Sequence, residues 1–161
     1  MTEASGLPVA VTGELTTDNA NRLTVFEMEI PIRWADQDAQ RHVNNVTYFR
    51  YMEQTRISWL DALGIRPDDL NQGPIIINAF CSFVNQLEYP GTVLARLSVG
   101  QFGRSTVQTF VDMSRTDDPE TIYAAGGAKV VWVDHTVRKS AQLPTEIRKR
   151  MSQPVGLLSN S

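Results

Sequence analysis

The chain is poor in the residues that build covalent or metal-bound frameworks. Its 161 residues contain one cysteine, Cys81, which excludes an intrachain disulfide and suits a reducing compartment. Only two histidines are present, His42 and His135, and with one dispersed cysteine they form no zinc-ligand spacing. No apolar run approaches the ~18 residues of a membrane span. Residues 1–22 lack the basic and apolar regions of a signal peptide, so a cytoplasmic location with no membrane partner is expected. Neither Gly-x-x-x-x-Gly-Lys nor Gly-x-Gly-x-x-Gly occurs, and no nicotinamide, flavin or metal cofactor is implied. Excess positive charge is also missing. Fifteen Lys and Arg face eighteen Asp and Glu, a net charge of −3 that gives no general attraction to nucleic acid.

What is there reads as one domain, by the usual ~100–200 residues per domain. Residues 1–23 have little periodicity and are expected to form a flexible N-terminal extension. The domain proper is placed at 24–140, followed by a tail at 141–161. In the tail a short helix after Pro144 is expected to expose Arg148, Lys149 and Arg150.

Phe26, Met28, Ile30, Ile32 and Trp34 alternate with Val25, Glu27, Glu29, Pro31 and Arg33, the period of a half-buried strand. Val46, Phe49, Met52, Leu60 and Leu63 then recur at helical spacing, and Gly64 supplies a left-handed stop. The helix is expected from about Asn45 to Leu63, with Asn44 or Asn45 as its N-cap. From Gly73 onward four β-type stretches follow without intervening helices. In the first, Ile75, Ile77, Ala79, Cys81, Phe83 and Leu87 share one parity, and Cys81 reads as core. The opposite parity mixes Asn78, Ser82 and Gln86 with Ile76, Phe80 and Val84, a hint of a second layer or a dimer partner. The expected fold is α+β, an antiparallel five-stranded sheet wrapped around one long central helix.

Between the first strand and the helix lies Asp36-Gln37-Asp38-Ala39-Gln40-Arg41-His42-Val43-Asn44-Asn45. A helix start offers unpaired N–H groups and partial positive charge, which can polarise a carbonyl. A carboxylate from the preceding turn can attack that carbonyl or deprotonate a water that does. Acyl-transfer chemistry needs both parts together.

The ordered set Trp34, Asp36-Gln37-Asp38, His42-Val43-Asn44-Asn45, Tyr48-Phe49-Arg50-Tyr51 and Glu53-Gln54-Thr55-Arg56 resembles the hotdog-fold acyl-CoA thioesterases of the 4-hydroxybenzoyl-CoA thioesterase-like family, over roughly residues 24 to 140. The resemblance implies Asp38 as nucleophile or general base, and the backbone N–H of Asn45 as the carbonyl-binding donor, with Asn44 beside it. Asp36 reads as structural. Where typical members carry Pro-Ala-Gly, this chain has Ala39-Gln40-Arg41-His42, so acyl specificity is open and His42 can share acid–base work. Glu53 ranks second to Asp38, because some relatives use a helix glutamate; otherwise Glu53 and Arg56 are a surface pair. Arg104 with Ser105 resembles the family's phosphate-contacting strand, and Arg138 and Lys139 are further candidates for the phosphates of coenzyme A. Coenzyme A would enter only as part of the substrate. The resemblance also implies a homodimer or homotetramer with the site at a subunit interface.

The leading expectation is therefore hydrolysis of an acyl-CoA to a carboxylic acid and free CoA. The rivals are acyl-carrier-protein thioesterase, hydratase/dehydratase, and a non-catalytic acyl-CoA binder. Phe49, Met52, Trp59 and Phe80 read as core rather than as an acyl pocket.

Overall fold

The computed structural model describes residues 21–66 and 71–158; most of the N-terminal extension and the Pro67-Asp68-Asp69 connection lie outside them. Strand β1 (Leu23–Pro31) leads through a single 3-10 turn (Trp34–Asp36) to helix α1 (Asn45–Ala62). Strands β2 (Gln72–Phe83), β3 (Thr92–Phe102), β4 (Thr106–Arg115) and β5 (Ala124–Asp134) follow, then a two-residue β6 (Lys139–Ser140) and helix α2 (Thr145–Met151). Every pairing is antiparallel, in the order β1-β3-β4-β5-β2. Strand β6 pairs with the end of β5, beyond the point where β4 begins opposite Val131. Among the described residues the sheet thus has six strands rather than five, and a second helix follows the last strand.

Helix α1 ends as its sequence dictates: Gly64 sits at φ +72°, and Ile65 N–H reaches back to the Leu60 carbonyl. Its buried face differs from the one that hydrophobicity selects. Val46 and Phe49 are exposed, while Tyr48, Tyr51, Met52, Thr55 and Trp59 turn inward. The two tyrosines and the threonine can be buried because their hydroxyls find partners. Tyr51 donates to Asp36 (2.8 Å), Thr55 back-bonds to the Tyr51 carbonyl (2.7 Å), and Tyr48 accepts from Leu87 N–H (3.2 Å).

The helix lies close to β5 at Gly126. A side chain on Gly126 would meet Met52 Sδ at 2.8 Å and the backbone of Phe80. Gly127 is likewise closed in by the Phe80 ring. Two consecutive glycines inside a strand weaken it by propensity; here Gly126 admits Met52 of the helix and Gly127 admits the Phe80 ring.

Strand β2 departs from the expected alternation. It forms the edge of the sheet, a bulge interrupts its register between Ile76 and Asn78, and Ile75 through Ala79 are all exposed. Cys81 is half-buried against the core. Leu87, expected on the strand, lies in the following loop and is fully buried.

The C-terminal segment is integral to the core. Leu143, Ile147 and Met151 join the main apolar cluster, and Val155 N–H bonds to Val25 on β1. Nor are all the helix cations solvated. Arg148 donates to the Gly103 carbonyl (2.5 Å) and Arg150 to the Leu63 carbonyl (2.8 Å), the latter at the C-terminus of α1.

Replacing Gly126 by valine is expected to lower stability by about 1–3 kcal/mol, through overpacking of the helix against β5. Thermal melting followed by circular dichroism reads this directly, and an unchanged melting temperature would show that α1 is not seated there.

Candidate active site

The turn between β1 and α1 is organised by a buried acid. Asp36 is 4% exposed, and three donors converge on its carboxylate. Oδ2 accepts from the Arg33 N–H (2.9 Å) and the Tyr51 hydroxyl (2.8 Å), while Oδ1 accepts from the Arg33 guanidinium (3.0 and 3.2 Å). Burial alone pushes this carboxyl up. The Arg33 N–H, the Tyr51 hydroxyl and the Arg33 guanidinium outweigh it, and the net effect holds Asp36 below the ordinary carboxylate value. Burial, and then the same contact, raises the Tyr51 phenol. The Asp36 carbonyl accepts from Asn44 N–H (2.9 Å), so one residue ties the end of the strand to the start of the helix.

Asp38 is exposed two residues later. Its N–H donates to the His42 carbonyl (2.9 Å), and its carbonyl accepts from Arg41 N–H (3.0 Å) in a turn that takes Arg41 to φ +62°. Its Oδ1 accepts from Gln40 N–H (2.8 Å). That contact is the local turn bond expected of aspartate before a helix, and it fixes one oxygen while Oδ2 has no partner among the described residues.

Asn44 is the N-cap: its Oδ1 accepts from Val46 N–H (2.9 Å) and its carbonyl from Thr47 N–H (2.8 Å). Asn45 is therefore the first helical residue. Its N–H has no intramolecular acceptor among the described residues, as helix geometry requires of this position. Asp38, His42, Asn44 and Asn45 all line one open cavity of about 480 Å³, closed on its other side by Tyr48 and by Phe83 through Gln86 at the end of β2. His42 faces Glu88 at 3.6 Å. The hydroxyl of Tyr48 holds the Leu87 backbone, and Val43 N–H bonds to the Leu87 carbonyl (2.8 Å), which closes the loop onto the helix start.

The remaining candidates lie elsewhere. Glu53 is exposed along α1 and lines no part of this cavity. Arg56 is lowered by burial against the opposing influence of Glu53. Arg104, Ser105, Arg138 and Lys139 sit at the other end of the sheet in the same chain. Ser105 bonds Trp132 near the end of β5, Arg104 bonds Leu143, and Lys139 is in β6. Helix α1 alone separates the two ends by about 27 Å, from 18 residues at ~1.5 Å each. Met52 and Trp59 are core, as expected, while Phe49 is exposed and Phe80 half-buried. Sequence reading missed Gln86 and Val84 as lining residues. The end of an apolar run at Asn85-Gln86 was the available signal.

Tyr51→Phe removes one donor to a buried charge and is expected to cost about 1.5–3 kcal/mol at neutral pH. Because Asp36 is held low, its stabilisation is present above the ordinary carboxylate value and is lost as pH falls through the folded value. The stability gap between wild type and Tyr51→Phe, measured by urea unfolding, should therefore narrow toward pH ~3. An equal gap at both pH values would remove Asp36 as its source.

The profile of the thioesterase-like superfamily matches residues 32–151 of this chain. Among solved structures, the PA2801 protein from Pseudomonas aeruginosa, assigned as a thioesterase, is 32% identical. It superposes with a TM-score of 0.75 over 79% of this chain and 98% of its own. An assigned acyl-CoA thioesterase from Xanthomonas campestris is 27% identical, with a TM-score of 0.67 over 75% of this chain and all of its own (100%). The 1,4-dihydroxy-2-naphthoyl-CoA thioesterase from Synechocystis shares the fold at 17% identity, with a TM-score of 0.72 over 78% and 94% of the two chains. No curated protein matches in sequence. With a family match over most of the chain, and an acid turn feeding a helix N-terminus at the place the motif predicts, the protein belongs to the thioesterase-like superfamily, in its hotdog branch.

Proposed function

We propose that the protein hydrolyses an acyl-CoA thioester to the carboxylic acid and free coenzyme A. The observation that carries this reading is one cavity bearing both the Asp38 carboxylate and the unpartnered N–H of Asn45. In the proposed reaction the thioester carbonyl oxygen accepts from Asn45 N–H, and the helix dipole favours the charge that develops on it. Asp38 Oδ2 then acts in one of two balanced ways. It adds to the carbonyl carbon, expels the thiolate and leaves an acyl-aspartyl anhydride that water cleaves. Alternatively it takes a proton from water, whose oxygen adds to the carbon before the thiolate leaves. Coenzyme A enters as part of the substrate.

His42 and Asn44 border the same cavity, and His42 is available to exchange protons with the attacking water. Glu53 has no role in the proposed reaction within one subunit. The thioesterase assignments of similar proteins in Pseudomonas and Xanthomonas support the reaction class. A cytoplasmic setting fits coenzyme A chemistry and the lone half-buried thiol, which burial pushes up to about 12.

We further propose a homodimer, with pairs of dimers possible, built on the β2 edge. A 12-residue unpaired edge with Ile75, Ile76 and Ile77 exposed is a hazard for a monomer. Val46, Phe49 and Ile57 on α1 extend the exposed apolar surface. Antiparallel pairing of β2 with its copy sets the Gln72 end of one chain beside the Phe83 end of the other. Gln72 is paired to Asp134, so that arrangement carries the partner subunit's Arg138 and the partner subunit's Lys139 toward this chain's cavity. The basic candidates far from Asp38 in one chain would thus serve the phosphates from across a two-fold axis.

Asp38→Asn, still folded by circular dichroism, is expected to lose at least ~100-fold in kcat, the scale of removing a group essential to bond-making. Thiol release measured on acyl-CoAs reads this, and undiminished hydrolysis would retire Asp38 as the reacting group. Ile76→Lys on β2 is expected to convert the dimer to monomer in sedimentation velocity, with a raised KM. A dimer of unchanged stability would move the interface elsewhere.

A further inference from the structure

The sheet has two edges, β2 at one end of the strand order and β1 at the other. The β1 edge is met on its outer side by residues 152–158, the segment that follows helix α2. We propose that β1 is a self-association surface for a second copy of the chain, and that residues 152–158 form a strap that covers it and so limits assembly. The inference is independent of the reaction proposed above.

Three contacts tie the strap to β1. Val155 N–H donates to the Val25 carbonyl (2.6 Å), Glu27 N–H donates to the Gly156 carbonyl (3.4 Å), and Leu158 N–H donates to Glu27 Oε2 (3.0 Å). They advance along both segments together, so the strap lies beside the strand much as another strand would. Val25 sits where the β1–β3 register shifts. A bulged residue is left out of the ladder, and here its carbonyl goes to the strap. The Glu27 N–H likewise turns away from β3, because its acceptor belongs to the strap.

The strap is fitted to this place. Gly156 is at φ +66°, and a Cβ there would stand 3.0 Å from the Phe26 ring, so glycine lets the strap pass over Phe26. Glu27 divides its carboxylate, Oε2 taking Leu158 N–H and Oε1 the Arg96 side chain (3.2 Å). Val155 packs against the core, and α2 is anchored through Arg148 and Arg150, so a short tether delivers the strap. Farther along β1, Glu29 and Pro31 are exposed, a charge and a residue without an N–H, both of which blunt an edge.

What the strap covers is self-complementary. The Val25 carbonyl and the Glu27 N–H flank Phe26. In antiparallel pairing about a two-fold axis at Phe26, each Glu27 N–H meets the carbonyl of Val25 of the partner subunit. Glu27 then faces Val25 of the partner subunit rather than another glutamate, so no like charges oppose. A molecule that pairs through both β1 and β2 has no closing contact and grows into an open row.

The test uses the full-length chain. Gly156→Pro fixes φ at about −65°, which the strap's course at +66° forbids. Hydrogen exchange at the Glu27 amide is expected to rise about 10-fold, the effect of one ordinary hydrogen bond lost, while α1 stays protected. Sedimentation velocity is expected to show a mass at least about double that of the wild type, rising with concentration. Adding Glu27→Pro deletes the edge N–H, leaves the β1–β3 hydrogen bonds in place, and should restore the wild-type mass. A peptide of residues 152–158 supplied to Gly156→Pro should restore it too, and a scrambled peptide should not. A single doubling supports pairing through β1 alone, and continued growth supports pairing through both edges. Unchanged exchange at Glu27, an unchanged mass, or failure of the peptide overturns the inference. Growth that persists with Glu27→Pro also overturns it, assigning association to the uncovered Phe26 ring instead of the strand edge.

Discussion

A carboxylate taken out of water must be given donors, and Asp36 obtains them from three directions at once. The Arg33 backbone, the Arg33 guanidinium and the Tyr51 hydroxyl each occupy part of it, and removing any of them leaves a buried charge short of a partner. Because Tyr51 lies on the helix and Arg33 at the end of the strand, satisfying one carboxylate sets the angle at which α1 leaves β1. The Asp36 carbonyl then holds Asn44, the cap of that helix. Everything at the candidate site inherits this geometry.

Two aspartates two residues apart therefore do different work. Asp36 spends all its acceptor capacity on the fold. Asp38, exposed and bound through one oxygen to its own turn, keeps the other oxygen for solvent or substrate. The asymmetry follows from burial alone: a fully paired internal carboxylate has no capacity left for chemistry. The free N–H at Asn45 has the same origin. Capping by Asn44 satisfies the donors at Val46 and Thr47 and leaves the first helical N–H open.

On the far side of the helix, packing rather than polarity decides. Gly126 lets Met52 approach β5 closely, and this seats the helix against the sheet. Leu143, Ile147 and Met151 complete the core from the C-terminal segment, while Arg148 and Arg150 spend their charge on backbone carbonyls that would otherwise end without partners. Strand β2, by contrast, is left with one edge and much of both faces uncovered. Ile75, Ile76 and Ile77 there are exposed, and contiguous apolar surface of this kind is what contact surfaces are made of.

The strand–turn–helix order, the helix limits near Asn45 and Gly64, and the four later strands were all legible from local chemistry. Periodicity, capping residues and a stop glycine act over a few residues, and these few residues are adjacent in the chain. The helix face was misread, since an apolar stripe through Val46 and Phe49 looks better than one through Tyr48, Tyr51 and Thr55 until the hydroxyl partners are known. Likewise, alternation could not show that β2 is an edge, nor that Trp34 and Tyr89 share a cavity 55 residues apart in sequence. By itself the sequence determined which groups are chemically capable: the Asp-x-Asp turn, the asparagine cap and the long helix. Which aspartate is buried, which basic residues lie far from Asp38, and which aromatics border it were decided only by the tertiary structure, because burial and partner supply are properties of segments brought together from distant parts of the chain.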